Sequence, residues 1–402
     1  MYSPKDDTRP GILLVSNYSN LTGYAWNNIY RLFEHIAVES KARGLAPWVS
    51  FADYQPPLDW SHASVFVGVL ELPPSPRSFS ELWRWVRAIK QHGIRYLYLT
   101  DQAFWSFRYA LFRLAGIRKI VVHCRVSVPD PRPAIPEQGV RGGLKWLACR
   151  LPLIQATRIY AVSDFVRNRL IHKARMPARR VVTILNGVDL ERFAPRPFTD
   201  RDSRPLQIFC GSRATVHKGI HLLIEAVVLL RDRYNLSGFV VRYAGDGPDM
   251  GAFSSQVAAN KLDGLFEFLG ELPCTDALVA DADIVIVPSV WGDACPSAIS
   301  EALASGKPLV ATRVGGVPEL VGDEEVAIMV EPGESEALAA ALADLVLNPA
   351  ARARLTQGAR RRAEQALDQK RYYAEMSRRL ADDLFSGEVI LERTPAHPRP
   401  GN

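Results

Sequence analysis

The feature that most constrains the fold is an alternation of short apolar runs with segments of helical period, which occurs twice in the 402-residue chain. The first half contains runs such as "GILLVSN", "YLYLT", "IVVHC" and "RIYAVS", and the pattern starts again after residue 205 with "LQIFCGS", "FVVRYAG" and "DIVIVPS". Strands that alternate with helices form parallel sheets with crossover helices. The sequence therefore predicts an α/β fold with two doubly wound, Rossmann-like domains.

A segment without apolar period, "LERFAPRPFTDRDSRP", separates the two patterns and is rich in Pro, Arg and Asp, as linkers are. We therefore predict an N-terminal domain of residues 1–190, a linker of residues 191–205 and a C-terminal domain of residues 206–370. A helix in residues 371–386 is expected to return toward the N-terminal domain, and residues 387–402 to form a flexible tail. Ligands of open α/β sheets bind beyond the carboxyl ends of the strands, so the predicted active site is the cleft between the domains.

Composition is that of a globular protein, with 48% hydrophobic and 23% charged residues. No apolar run approaches the roughly 18 residues that span a membrane, and the first residues, "MYSPKDDTRPGILLVSN", lack the pattern of a signal peptide. We therefore expect a cytoplasmic protein. The five cysteines are scattered without a C-x-x-C pair, which argues against a disulfide framework and against a zinc site.

Charge is distributed unevenly between the two halves. Residues 1–190 contain 26 Lys and Arg against 13 Asp and Glu, whereas residues 191–402 contain 23 against 30. A basic half favours an anionic partner, such as a membrane surface or a phosphorylated acceptor, although a basic surface also serves solubility. No nucleic-acid-binding motif accompanies this charge, so nucleic acid is not predicted as a partner.

Two loops of the second half follow predicted strands and carry residues suited to a phosphorylated ligand. In "IFCGSRATVHKGI", Arg213 and Lys218 stand just before a helix, where cations and free N–H groups together form an anion site. The alternative is a solvated loop with two surface cations. In "YAGDGPDM", Gly245 and Gly247 either permit close approach of a ligand to the backbone or simply form the turn.

A third strand end, "IVIVPSVWGDACPSAISEALASGKPLVA", places Asp293 and Glu301 on either side of a turn from a strand into a helix. Carboxylates accept hydrogen bonds from neighbouring hydroxyls, such as those of a ribose, and a helix N-terminus binds phosphate or sugar oxygens. Alternatively, Asp293 caps the helix and Glu301 is a surface residue.

In their order along the chain, the segments "GSRATVHKG", "AGDGPD", "FLGELP", "ADIVIVPS", "DACPSAISEALASGKPLVAT" and "VGGVPELV" resemble the donor-binding half of the retaining glycosyltransferases of family 4, also called glycosyl transferases group 1. The first domain is similar through "IVVHC", "IYAVSDFVRNRL" and "ILNGVDLERF", so the resemblance extends from Gly11 to about Phe385. It implies the GT-B fold, in which two Rossmann-like domains face each other across a cleft. It also implies a metal-independent hexosyltransferase in polysaccharide, lipopolysaccharide or glycolipid assembly.

The resemblance implies roles for the donor-binding residues. Arg213 and Lys218 match the Arg and Lys that bind the donor diphosphate, and Glu301 matches the Glu that binds the nucleotide ribose. Asp293 takes the place of a Glu that lies near the transferred sugar, which makes it a candidate catalytic residue with a shorter side chain. Gly245 and Gly247 belong to a matched donor-binding loop.

The same resemblance covers the start of the helix that follows Asp293. The family's usual Phe-Gly is replaced by Cys295 and Pro296, and a proline has no N–H to donate. Donor contacts of this loop are therefore expected from Ser297 and Ala298. We expect the loop to determine which sugar is used.

In the first domain, His123 matches a histidine that the family places against the transferred sugar, and it is the second candidate catalytic residue. The family's N-terminal glycine loop is represented only by "NLTGYAW", with Thr22, Gly23 and Tyr24 as candidate contacts to the acceptor or the diphosphate. This departure from the usual Gly-Gly pair leaves those contacts open.

Retention of configuration also follows from the resemblance, whereas Arg213, Lys218 and the helix N-terminus can serve the leaving diphosphate without a metal. The "DAD" at residues 281–283 resembles the metal-binding D-x-D of the other glycosyltransferase fold, but it precedes a strand, so no metal is predicted. No cofactor is expected besides the nucleotide-diphosphate sugar, which is a co-substrate. We favour a displacement on one face of the sugar, in which the diphosphate takes the acceptor proton. Asn186 and Gly187, in the "LNGVD" signature, are interpreted as mainly structural.

Residues 77–119 bear on the acceptor, because they contain nine Lys and Arg, two acidic residues and ten aromatic residues. Such a mixture suits a membrane interface, and hence a lipid-linked acceptor and a peripheral location at the inner face of a membrane. Aromatic residues also form the core faces of crossover helices, which is the interpretation favoured for "FWSFRYALF"; Trp83, Arg84, Trp85 and Arg87 are left open. The acceptor is therefore expected to be a sugar or a lipid-linked sugar.

Two other functions fit parts of the pattern. A nucleotide-sugar 2-epimerase shares the two-domain architecture but lacks the "VGGVPE" and paired-carboxylate segments in this form. A donor-binding protein without turnover would explain the incomplete glycine loop and the shortened acid Asp293.

Overall fold

The computed structural model describes residues 9–19, 23–55, 63–125, 151–196, 204–323 and 325–386. Within them, the strands form two fully parallel sheets. The first sheet contains β1 (Gly11–Val15), β2 (Ala46–Ser50), β3 (Gly68–Val69), β4 (Ile94–Thr100), β5 (Lys119–Cys124), β6 (Arg158–Ala161) and β7 (Val181–Thr183). The second contains β8 (Leu206–Gly211), β9 (Phe239–Ala244), β10 (Phe266–Phe268), β11 (Ile284–Val287), β12 (Leu309–Thr312) and β13 (Ile328–Val330).

Helices cover both sheets. Those of the first domain are α1 (Gly23–Ala42), α2 (Phe79–Gln91), α3 (Phe107–Ala115) and α4 (Asp164–Asn168). Those that follow are α5 (Ile220–Asp232), α6 (Met250–Ala259), α7 (Asp276–Asp281), α8 (Ser297–Ala304), α9 (Val317–Val321), α10 (Ser335–Leu347), α11 (Pro349–Ala366) and α12 (Gln369–Leu380).

The strand orders confirm the predicted doubly wound fold. The first sheet has the order β3-β2-β1-β4-β5-β6-β7 and the second the order β10-β9-β8-β11-β12-β13. In each, the chain moves outward from a central strand and then returns to extend the sheet on its other side. Ligands of such sheets bind where the order reverses, beyond the carboxyl ends of the strands. In the second sheet this point lies between β8 and β11, which end at the loops of Lys218 and Asp293.

Alternating side chains of the first sheet build cores on its two faces. Leu13 and Val15 of β1 pack with Trp85 of α2 and Phe112 of α3 on one face. Ile12 and Leu14 pack on the other face with α1 and with α12. All five residues of β1 are buried, as a parallel strand covered on both faces requires.

Helix α12 packs into the N-terminal domain, although it follows the second sheet in the chain. Its Met376 and Leu380 are fully buried beside Phe33 of α1. Just after the helix, Asp383 accepts hydrogen bonds from Nε of Arg158 at 2.6 Å and from the Tyr160 hydroxyl at 3.1 Å, which fixes this end of the chain to β6.

The two domains contact each other at the carboxyl ends of their strands. The carboxylate of Glu319, in α9, accepts hydrogen bonds from the N–H groups of Asp164 at 2.6 Å and Phe165 at 2.7 Å, at the start of α4. Because α4 follows β6 and α9 follows β12, these ends of the two sheets face each other.

The aromatic residues of α2 and α3 divide between core and surface. Trp85 and Phe112 are buried and their rings stack with centroids 4.8 Å apart, whereas Trp83 and Phe107 are exposed. Among the helices that the structure describes, none combines the length and the apolar character that a membrane crossing requires.

Candidate active site

A cavity lies between the domains, and both contribute to its walls. The N-terminal side consists of α1, Arg125 just after β5, residues 186–193 beyond β7 and the start of α12. The C-terminal side consists of Cys295 and the first turns of α8, including Ser297 and Glu301. The cavity is therefore at the facing carboxyl ends of the two sheets, where the sequence predicted a site.

Glu301 is a buried carboxylate on this cavity. Its side chain is 5% exposed, and the hydroxyl of Thr275 donates to its Oε2 at 3.3 Å. Ser297, the first residue of α8, is exposed on the cavity, and Ala298 is half-buried beside it. The arrangement offers a carboxyl acceptor and a helix N-terminus to one ligand, which suits a ribose and a phosphate.

Lys218 and Asp293 form an ion pair with each other. Lys218 ends a 3₁₀ turn after β8, and Asp293 lies in the loop between β11 and α8. The Ser289 hydroxyl donates to the same carboxylate oxygen at 3.3 Å. The structure thus brings Lys218, predicted to bind the diphosphate, into contact with Asp293, predicted to face the sugar. Asp293 does not cap helix α8, because Pro296 occupies the N-cap position.

Arg213 is exposed at the end of the first loop, and its guanidinium has no ion-pair partner among the described residues. Two glycines support this loop by letting another loop approach it closely. A Cβ on Gly245 would lie 1.8 Å from the carbonyl oxygen of Ser212, and one on Gly247 would lie 2.5 Å from that of Ala214. The structure therefore gives both glycines a part in positioning the Arg213 loop.

His123 is fully buried near the end of β5. Its Nδ1 shares a hydrogen bond of 2.6 Å with the hydroxyl of Tyr98, and its Nε2 has no partner among the described residues. Burial and, secondarily, the charge of Arg125 lower the pKa of His123 well below its ordinary value, so the ring is neutral. An unpartnered ring nitrogen can bind a ligand hydroxyl, but Nε2 must become accessible before it touches a sugar.

Arg125 was not singled out from the sequence. Its backbone N–H donates to Oδ1 of Asp101 at 2.7 Å, and its side chain reaches the cavity. The available signal was a basic residue two positions beyond His123 at the same strand end. A basic residue at a strand end is common, and only the position of α8 across the cavity shows that Arg125 lies in a site.

The N-terminal glycine loop can be placed only in part. Thr22 lies outside the described residues, and only the backbone of Gly23 and Tyr24 is described, as the start of α1. In the "LNGVD" signature, a Cβ on Gly187 would lie 2.6 Å from the Cα of Gln369, so this glycine permits close packing of α12. Asn186 lines the cavity.

The acidic pair at residues 281–283 serves the fold. Oδ2 of the buried Asp283 accepts hydrogen bonds from the N–H of Gln207 at 2.8 Å and from Arg204 at 3.1 Å, and so fixes the start of β8. Within the described part of the chain, no group of His, Cys, Asp and Glu side chains has an arrangement that could hold a metal ion.

Comparison with known families identifies the class of protein. The model described as "Glycosyltransferase Family 4" matches residues 35–192, and that described as "Glycosyl transferases group 1" matches residues 192–362. The chain belongs to glycosyltransferase family 4. This confirms the resemblance recognised in the sequence.

Individual relatives agree with this assignment. The WcaL protein of Escherichia coli, named as a colanic acid biosynthesis glycosyltransferase, is 34% identical over 191 residues, which are 45% of this chain and 46% of WcaL. The chain thus matches about half the length of this curated relative. A glycosyltransferase structure from Rickettsia africae has a TM-score of 0.77 at 19% identity and covers 94% of this chain and 100% of its own.

A structure of Anabaena HepE in complex with UDP has a TM-score of 0.71 at 18% identity, over 93% of this chain and 100% of its own. At such identities the likeness establishes the fold, which is GT-B.

Proposed function

We propose that the chain is a retaining glycosyltransferase that moves a sugar from a nucleotide-diphosphate sugar to an acceptor hydroxyl. The observation that carries the proposal is the cavity in which Glu301 and the start of α8 face Arg125 across the domain boundary. A carboxylate suits a ribose diol, and a helix N-terminus suits a phosphate, so together they fit a nucleotide diphosphate. The UDP bound to the HepE neighbour supports a donor of this chemical class.

In this proposal the site stabilises opposite charges on the two sides of the breaking bond. Departure of the diphosphate leaves negative charge on the phosphate and positive charge on the sugar ring. Arg213, Lys218 and the N-terminus of α8 stabilise the phosphate, while the neutral ring of His123 and the carboxylate of Asp293 face the sugar. The departing diphosphate takes the proton of the acceptor hydroxyl on its own face of the sugar, which retains the configuration.

The ion pair of Lys218 and Asp293 adds a step to donor binding. Lys218 must leave the carboxylate, or share it, when it contacts the diphosphate. The two side chains are mostly buried, at 29% and 17% exposure, so each needs a new partner, the diphosphate for Lys218 and a ligand hydroxyl or water for Asp293, when the pair opens.

Release of nucleotide from a panel of UDP-, GDP- and ADP-sugars, with and without candidate acceptor sugars, tests the proposal. We expect one donor to be turned over faster with an acceptor, and the new linkage to keep the donor's anomeric configuration by NMR. Epimerised donor without transfer would support the 2-epimerase instead. Binding of a donor without turnover would mean a binding protein.

We also propose that the acceptor is lipid-linked and that the protein docks on an anionic membrane surface, in polysaccharide, lipopolysaccharide or glycolipid assembly. Support comes from an apolar surface on α2, α3 and the 3₁₀ turn of residues 152–154, which pack against one another. Its large apolar side chains are 43% to 83% exposed: Phe79, Trp83, Phe107, Leu111, Leu114, Leu151 and Leu153. Apolar exposure concentrated on elements that pack together supports an interaction site.

Charge around the apolar surface matches an anionic lipid headgroup. Along α2, the exposed face continues from Trp83 to Arg87 and Lys90, and Arg84 is also exposed. The nearby acid Glu81 accepts a hydrogen bond from the N–H of Ser78 and thereby caps the N-terminus of α2. Aromatic rings among headgroups and cations near anionic lipid are the features of a membrane interface.

Co-sedimentation with vesicles tests the docking surface. We expect binding to vesicles that contain an anionic lipid, less binding to pure phosphatidylcholine, and weakening with salt. A Trp83→Ser, Phe107→Ser double variant should lose most of the binding. Val38, on α1, is 54% exposed and lies outside the surface, so Val38→Ser is the matched control. Equal binding by both variants would contradict this part of the proposal.

A further inference from the structure

We propose that Arg125 binds an oxyanion of a substrate, a phosphate or carboxylate group, across the domain boundary. The inference rests on the proposed transferase function and extends it. The residues assigned to the donor diphosphate, Arg213 and Lys218, both belong to the C-terminal domain. Arg125 would add a cation from the N-terminal domain, in the cavity that Ser297 and Glu301 line from the C-terminal side.

The first argument is the lack of a counter-ion. A guanidinium remains charged at any physiological pH, and its partial withdrawal from water, as in the half-buried Arg125, is costly unless the charge is paired. Among the described residues, no carboxylate oxygen lies within the 4.0 Å of an ion pair with Arg125. The carboxylate of Asp101 acts on the charge of Arg125 from a greater distance, and its oxygens accept the Arg125 backbone N–H at 2.7 Å and the Tyr18 hydroxyl at 3.2 Å.

The second argument is a contrast with the other arginines of the same cavity. Arg31 has Asp189 as a partner at 3.4 Å, and Arg192 has Asp276 at 3.3 Å. Arg125 differs from both, although it lines the same space. Among the described residues that line the cavity, Arg125 is thus the arginine that has no carboxylate partner, and a ligand oxyanion could supply one.

The third argument is the presence of unsatisfied neutral groups beside this cation. The hydroxyl of Tyr372, a residue only 9% exposed, and Oδ1 of Asn186 are buried without hydrogen-bond partners among the described residues. Such groups are rare in folded proteins and call for an explanation. Burial raises the pKa of Tyr372 by more than the adjacent Arg125 side chain lowers it, so the phenol stays protonated and can donate to an oxyanion that Arg125 also contacts. Asn186 can accept from a ligand hydroxyl.

The C-terminal wall of the cavity, which faces Arg125, also favours an anion. Ser297 begins α8, whose N-terminus carries partial positive charge and free N–H groups. An oxyanion between Arg125 and this helix end would be held from both domains. It would come either from the donor diphosphate or from an acidic group on the acceptor.

Replacement of Arg125 with Met, compared with Arg125→Lys and with Arg233→Met, tests the inference. Removal of a half-buried charge without an ion-pair partner should leave the fold intact, which thermal unfolding checks. If the donor supplies the oxyanion, Arg125→Met should weaken binding of UDP, or of the diphosphate that the donor panel selects, about tenfold or more, and affect the monophosphate less. Arg125→Lys should restore part of the affinity. Arg233→Met should change it by less than about threefold, because Arg233 pairs with Glu336 on the surface, away from the residues that line the cavity.

If the acceptor supplies the oxyanion, nucleotide binding should be unchanged in Arg125→Met, and the KM for the acceptor should rise about tenfold with little change in kcat. Unchanged nucleotide binding together with an unchanged acceptor KM would overturn the inference and leave the transferase proposal standing.

Inorganic pyrophosphate provides a readout that does not depend on transfer. It should raise the Tm of the wild-type protein more than that of Arg125→Met. A wild-type protein that turns over no donor but shows this difference would refute the transferase proposal and keep the oxyanion site. Absence of any difference in Tm, nucleotide affinity and acceptor KM would remove the site.

Discussion

Two sets of proposed ligand-binding groups, one on each side of the cleft, differ in whether they already have partners. On the C-terminal side, Lys218 is paired with Asp293, and Glu301 accepts a hydrogen bond from Thr275. On the N-terminal side, Nε2 of His123 has no hydrogen-bond partner, and Arg125 has no ion-pair partner, among the described residues.

This difference predicts how each wall responds to a ligand. A ligand on the C-terminal wall must replace an existing contact, so the net gain in binding is the difference between two interactions. A ligand on the N-terminal wall satisfies groups whose desolvation cost the folded protein already bears. Substitutions on the two walls should therefore separate turnover from affinity.

The largest effect is expected from His123→Ala. The ring is proposed to contact the sugar, on which positive charge develops in the transition state. Its loss should lower kcat about 100-fold, as loss of a single polar group that stabilises transition-state charge does in other enzymes. Donor affinity should change by less than about threefold, because the diphosphate and ribose contacts remain. Steady-state kinetics with calorimetric titration of the donor measures both quantities.

Tyr98→Phe is the companion variant for His123. It deletes the 2.6 Å hydrogen bond to Nδ1 and leaves the ring in place. An intermediate loss of kcat is expected if Tyr98 orients the imidazole. Wild-type kcat in His123→Ala would exclude this residue from the site.

Lys218→Ala should have the next largest effect, on the other wall. Removal of a charge-assisted contact should weaken nucleoside diphosphate binding about 10- to 100-fold. The ion pair adds a second expectation, since Asp293→Asn removes the carboxylate that competes for Lys218. Asp293→Asn should retain or increase diphosphate affinity while it lowers kcat.

Calorimetry with the diphosphate, and kinetics with the donor sugar, distinguish these two variants. Equal losses of diphosphate affinity in Lys218→Ala and Asp293→Asn would mean that the ion pair is needed to shape the site. The idea of competition between Asp293 and the donor would then be wrong.

Glu301→Gln should have a smaller effect that differs in kind. A neutral amide still accepts one hydrogen bond from a ribose hydroxyl, so we expect a loss of about tenfold in affinity. The loss should be the same for the monophosphate and the diphosphate, because the ribose is common to both. Calorimetric titration of both nucleotides measures these losses. Lys218→Ala is the comparison, because it should weaken binding of the diphosphate more than binding of the monophosphate.

The fold was predictable because strands covered on both faces have to be apolar throughout. In β1, "GILLV" is an unbroken apolar run, and all five residues are buried. The doubly wound order followed from the alternation of such runs with helical patterns. Proposed C-terminal residues such as Glu301 were within reach of sequence reasoning because they follow one strand directly within a short motif.

Contacts between residues far apart in the chain were not predictable in the same way. The contact of Lys218 with Asp293 joins residues 75 positions apart, and no local spacing specifies it. The significance of Arg125 depends on Asn186 and Tyr372, which come from distant parts of the chain and meet only when α12 returns to the first domain. Unpaired buried groups are properties of packing and become visible only in three dimensions.

The smallest expected effect concerns stability and again depends on His123. Burial lowers its pKa well below the value of about 6.5 that it has in the unfolded chain. Between these two values the unfolded chain binds a proton that the folded protein does not. The free energy of unfolding should therefore fall as the pH drops below about 6.5, by up to about 1.4 kcal/mol per pH unit from this residue.

Burial also lowers the pKa values of His35 and His92, so these residues add to the same acid destabilisation. His123→Asn removes one group that binds a proton in the unfolded chain but not in the folded protein. It should therefore reduce the slope of unfolding free energy against pH below about pH 6.5, measured by urea denaturation. His35→Gln provides the comparison, because its ring lies at the junction of α1 with α12 and bonds Ser377 at 2.8 Å, away from the cavity. An unchanged slope in His123→Asn would mean that the imidazole becomes protonated in the folded protein, and the neutral ring assigned to the N-terminal wall would then be wrong.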